Sequence, residues 1–259
     1  MTEADWLACT DPQRMLQFLG ARRPTGLMRW LRRDRGKSQP SPQQARKLRL
    51  LACACCRRID DLMVDERSRE AVEVAELHAV GAASDAELEA AREQARAAYE
   101  ALLARGNVPH LPLPYARPAE PTLAWVHAAG AALAAARGEV TEAMRAFEKA
   151  AMLIATDFDD LAWAREAACA AAQVALIREI FGNPCCDAIA DPAWLRWHDG
   201  TVPRIALGIY KECRFADMPI LHDALLDAGC DDETVLDHCR TTDGHVRGCW
   251  VIDALLEKP

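Results

Sequence analysis

Cys230, Cys239, His245 and Cys249 place three thiols and an imidazole close together near the C-terminus. That donor set suits a tetrahedral zinc ion. His245 and Cys249 are four residues apart, so on one helix they share a face. A wider version of the site adds Cys53 and Cys56, which are three apart on one helical face. The spacings match no strong finger or knuckle pattern, and a plainer reading leads. The chain has 11 cysteines, and a reduced thiol packs as a small buried hydrophobe. An odd count without an export signal argues against a disulfide framework. Zinc ligation is the alternative. A nucleophilic thiol at Cys56, with Arg57 and Arg58 beside it to lower its pKa, is a weaker one.

Other chemistry is sparse. The acidic run Asp157-Phe158-Asp159-Asp160 lacks the second metal-binding motif that diphosphate chemistry would need, and a break between helices accounts for it. No phosphate-cradling glycine loop, zinc-protease helix motif or nucleophile elbow occurs. Between Ala21 and Arg58, however, twelve Lys and Arg residues face a single acid, Asp34, while the formal charge of the whole chain is −8. Within this stretch Arg29, Arg32, Arg33 and Arg35 surround Trp30 and Leu31, an amphipathic pattern able to meet nucleic acid, a membrane surface or an acidic partner. The favoured expectation is that the segment docks on the protein's own acidic helices.

The elements that must position these residues read as helices. Of the 259 residues 51% are hydrophobic, 27% charged and only 6% aromatic, a folded composition whose core is rich in alanine. There is no apolar run of transmembrane length and the N-terminus is acidic, so the expectation is a soluble, cytoplasmic protein of bacterial type. Thr10 is expected to cap a first helix ending at Gly20. Further helices are expected over 43–64, from Asp65 or Ser68 to Val80, from the capping box Ser84-Asp85-Ala86-Glu87 to Arg105, and over 124–137. Val140, Met144, Phe147, Ala151, Ile154, Phe158 and Leu161 form a heptad seam in one long helix or two. After Pro184 alanine thins, and short helices follow, the last from His245 to Leu256. The fold class expected is all-α: a multi-helix bundle over 1–181 with a basic loop at 21–46, and a smaller C-terminal helical module over 182–259 sharing its core.

Several stretches together resemble a family of uncharacterised bacterial proteins. They are Trp6-Leu7-Ala8-Cys9-Thr10-Asp11-Pro12, the run Leu51 to Ile59, Asp65 to Glu73, Ile180-Phe181-Gly182-Asn183-Pro184, and Asp191-Pro192-Ala193-Trp194-Leu195. Met218-Pro219-Ile220-Leu221, Asp227-Ala228-Gly229-Cys230, His238-Cys239-Arg240 and His245 to Asp253 complete the set. The resemblance spans nearly the full chain and implies no activity. The leading functional expectation is a non-enzymatic helical component for protein–protein contact, an adaptor or regulator whose partner is another protein. The alternatives are a zinc protein or metal- or cysteine-dependent enzyme, and a binder of nucleic acid or another anionic partner through residues 21–58.

Overall fold

The computed structural model describes residues 1–21, 40–106, 121–154, 162–186 and 190–258. Among them are thirteen α-helices and no strand: α1 Glu3–Ala8, α2 Pro12–Ala21, α3 Pro42–Arg57, α4 Glu66–Ala79, α5 Asp85–Gly106, α6 Pro121–Arg137, α7 Val140–Ile154, α8 Ala162–Phe181, α9 Pro192–Arg196, α10 Thr201–Glu212, α11 Met218–Asp227, α12 Glu233–Arg240 and α13 Trp250–Leu255. The fold is all-α, as the helical periodicity implies.

Helix starts follow side-chain chemistry. The Ser84 amide donates to Glu87 Oε2 at 2.7 Å and the Glu87 amide donates back to Ser84 Oγ at 3.3 Å, a reciprocal capping box. Asp65, Asp191 and Asp232 each accept from amides in the first turn of their helices. Some details differ from expectation. Asp11, not Thr10, caps α2, accepting from the amides of Gln13 and Arg14. The helix expected over 43–64 ends at Arg57, and a 3₁₀ turn over Asp60–Leu62 follows. The final helix begins at Trp250, so His245 and Cys249 belong to the turns before it.

Helix α3 lies at the centre of the bundle, touching α4, α6, α7 and α8. From Leu50 to Cys56 every residue is buried. An element with no solvent face there needs small or apolar side chains all round, which accounts for Cys53, Cys55 and Cys56. Facing it, α6 buries a run of alanines from Ala128 to Ala136 broken only by Gly130 and Leu133, and small side chains permit close packing with α7. The heptad seam puts Met144 and Phe147 inside.

Two main apolar clusters result. One holds Trp6, Met15, Leu51, Met144, Ile177 and their neighbours; the other holds Trp194, Val202, Ile209, Leu221, Ile252 and theirs, and Val80 packs against both. Two glycines let the clusters approach. Gly182 has φ +61°, and a Cβ there would meet the Trp250 ring at 3.0 Å; Gly248 has φ +92°, and a Cβ there would meet Leu50 at 2.8 Å. Only glycine fits both the backbone and the space. Nearby, Arg46 donates to both oxygens of Asp253 at 2.7 and 3.0 Å in a buried α3–α13 pair.

Several described residues of the basic segment make contacts within the fold, while Arg57 and Arg58 are exposed. Besides Arg46, Lys47 donates to the Ile180 carbonyl at 3.1 Å, Arg49 reaches His78 Nδ1 at 2.7 Å, and Arg57 donates to both oxygens of Glu76. Arg29, Arg32, Arg33 and Arg35 lie outside the described residues.

Candidate metal centre

Four donors converge where the C-terminal module meets α8. Glu179, near the end of α8, projects toward His238 on α12 and toward His245 and Cys249 in the turns before α13; one ligand atom from each lies within 4.8 Å of all the others. Glu179 Oε2 is 3.4 Å from His238 Nε2, and Oε1 is 3.2 Å from His245 Nδ1. His238 Nε2 is 3.2 Å from Cys249 Sγ. The side chains of Glu179, His238 and His245 are only 8%, 17% and 2% exposed, and Cys249 is buried. This buried group could hold a metal ion. Regular tetrahedral coordination at ordinary zinc–ligand lengths separates neighbouring donors by about 3.3–3.6 Å, close to these three contacts, while the set as a whole lies within 4.8 Å.

The surrounding groups define the protons. Trp250 Nε1 donates to His238 Nδ1 at 3.2 Å. An indole N–H can only donate, so neutral His238 carries its proton on Nε2, facing Glu179 and Cys249. His245 Nε2 lies 3.1 Å from the Thr241 carbonyl, an acceptor, while its Nδ1 faces the Glu179 carboxylate. Both nitrogens of His245 meet acceptors, which favours the imidazolium. Burial is the largest influence on His245 and lowers its pKa, but the hydrogen bond and charge of Glu179, with the Thr241 carbonyl, raise it on balance. Burial drives His238 the other way, down to about 4, against the pull of Glu179 and with repulsion from His245. Burial, reinforced by the Glu179 charge, pushes the Cys249 thiol well above its ordinary value. Without a metal the cluster is thus a closed network around one carboxylate–imidazolium pair.

With a metal, His245 is the better prepared of the two histidines. Ligation through Nδ1 would leave Nε2–H on the Thr241 carbonyl, the supporting contact that metal-bound imidazoles usually make. His238 is less prepared, because ligation through Nε2 would shift its proton to Nδ1, against the Trp250 N–H.

The structure brings together His245 and Cys249 from the set predicted by sequence. Cys239 is adjacent to His238 in the chain but buries itself in the apolar cluster of the module, as does Cys230. Burial, with Cys230 and Glu179 nearby, raises Cys239 to about 12. Cys53 and Cys56 lie in the bundle core, their pKa values raised foremost by burial. Arg57 does not offset that burial, so the activated Cys56 thiolate considered from sequence is not what the structure contains. Cys53, Cys56, Cys230, Cys239 and Cys249 are all free thiols. Sequence reasoning did not select Glu179 or His238 as ligands, although His238 stands in the quoted His238-Cys239-Arg240 motif.

No protein-family model matches the chain, and no curated protein or solved structure shows detectable similarity to it. Among the described residues no helix is long and apolar enough to cross a membrane.

Proposed function

We propose that the chain is a non-catalytic helical scaffold for protein–protein contact, whose C-terminal module is fastened to the bundle by one zinc ion on Glu179, His238, His245 and Cys249. The observation that carries the reading is the convergence of four buried donor atoms within 4.8 Å from three separate parts of the chain. Two imidazoles, a carboxylate and a thiolate form a full tetrahedral set and neutralise a divalent cation. Four protein ligands leave no open position for a water or substrate, which is the arrangement of structural rather than catalytic zinc. Such an ion would couple α8 to α12 and α13, and a stiff helical surface suits a docking role.

The test is elemental analysis of the purified full-length chain, followed by zinc titration after chelation. Near-stoichiometric zinc is expected. Cys249→Ser and His245→Gln should each weaken binding by more than the roughly 10–100-fold typical of losing a supporting residue, while Cys239→Ser should leave it intact. At a hundredfold excess over Kd the ion should add about 3 kcal/mol to stability. A chain without metal that gains no stability from zinc would overturn the proposal.

A further inference from the structure

Beside this cluster lies a cavity of about 370 Å³, between α3 and α4 on one side and the segments around residues 213–215 and 245–247 on the other. Its size is at the lower end of the range for small-molecule sites. Leu50, Ala54, Phe215 and Val246 give it an apolar wall, and Arg57, Glu76 and Arg247 a charged one. The two arginines are not equivalent. Arg57 donates through Nε and Nη2 to the two Glu76 oxygens at 3.1 and 3.0 Å, so that carboxylate is already engaged in a fork. Arg247 Nε lies 3.7 Å from Glu76 Oε2, beyond hydrogen-bond range. Its guanidinium also faces the Cys213 thiol, which lines the same cavity, and its side chain is only 23% exposed. His245, also on the lining, is paired with Glu179, so Arg57, Glu76 and Arg247 leave the wall one positive charge in excess, on a guanidinium that has no carboxylate fork of its own.

We infer that this cavity binds a small monocarboxylate with an apolar tail, the carboxylate on the Arg247 guanidinium and the tail against Leu50, Ala54, Phe215 and Val246. A planar guanidinium fork matches a carboxylate bidentately. A single excess charge favours a monoanion over a phosphate dianion. The apolar wall gives a hydrocarbon tail contacts that a small hydrated anion cannot use. The inference goes beyond the scaffold reading and needs no metal at the neighbouring cluster.

Ligand-observed NMR on the metal-free full chain, comparing hexanoate, hexanamide and inorganic phosphate, tests it. Hexanoate should bind with a submillimolar Kd, hexanamide at least about tenfold more weakly for want of the charge-assisted pair, and phosphate not measurably. Arg247→Gln should cost hexanoate at least about tenfold, and Phe215→Leu should weaken hexanoate while leaving the preference over hexanamide. Equal binding of hexanoate and hexanamide, no binding of hexanoate, or full hexanoate affinity in a folded Arg247→Gln protein would overturn the inference. The comparison on the unaltered chain stands even if a variant fails to fold.

Discussion

An indole N–H has no lone pair to offer, so the 3.2 Å contact from Trp250 Nε1 holds His238 in the tautomer least suited to ligation through Nε2. A metal entering the cluster must displace that donor, at about the worth of one hydrogen bond, roughly 1 kcal/mol. Trp250→Phe removes the donor and keeps an aromatic ring. Its zinc affinity, measured by competition with a chelating dye, should rise about fivefold, while the metal-free protein loses some stability; unchanged or weaker binding would show that Trp250 does not oppose the metal. The two histidines also give the metal-free protein opposing pH responses. His238 is held at about 4, below its ordinary 6.5, and so binds fewer protons folded than unfolded. Its contribution is present above about pH 6.5 and lost as pH falls toward 4, an effect of about 3 kcal/mol in all. His245 is raised, so its contribution is complete below the unfolded value and lost as pH climbs through the folded one. Urea midpoints of chelator-treated protein should therefore peak near the ordinary histidine pKa of about 6.5. Glu179→Gln should flatten the alkaline limb and His238→Asn the acid limb. A profile that is level on both sides would contradict this assignment of protons.

At the scale of elements, what could be read from the sequence was whatever is written locally. Ser84 with Glu87 and Asp65 with Arg67 mark helix starts through contacts three residues or fewer away, and Pro219 marks the first turn of α11 through its fixed backbone. The heptad seam located α7 because Met144 and Phe147 must turn toward the bundle core. Helix α1 escaped notice because it is six residues long and buries only Trp6; its Thr2–Asp5 capping box precedes no apolar stripe. The site was half legible for the same reason. His245 and Cys249 are close in the chain, though a turn rather than a shared helical face brings them together. Glu179 lies 66 residues before His245, and no spacing rule links a helix-terminal glutamate to a distant turn. By spacing Cys239 reads as a ligand, and nothing singles out His238 beside it. Successive helical side chains point about 100° apart, and packing of α12 sends Cys239 to the apolar side and His238 to the polar seam.

For the whole molecule, the two large apolar clusters are separate, and polar contacts carry much of what joins them. The Glu179 group links α8 to α12 and the following turns, Arg46–Asp253 links α3 to α13, and Lys47 donates to the end of α8. Arg46, Lys47 and Arg49 turn inward, and they and the exposed Arg57 make contacts within the fold. Arg46 and Asp253 have side chains 11% and 3% exposed, so Arg46→Met would strand a carboxylate inside, at a cost of about 3–5 kcal/mol. That cost falls on α13 and its surroundings, because the bundle keeps its own cluster around Leu51, Met144 and Ile177. Calorimetry should then show one transition for the zinc-loaded parent. Arg46→Met after chelation should show two, the earlier one followed by the fluorescence of Trp194 and Trp250 in the module. Adding zinc to the same variant should draw the two together, since the ion restores one of the lost links. If the doubly weakened protein still melts in one step, apolar contact across Gly182 and Gly248, not the polar seam, holds the halves together.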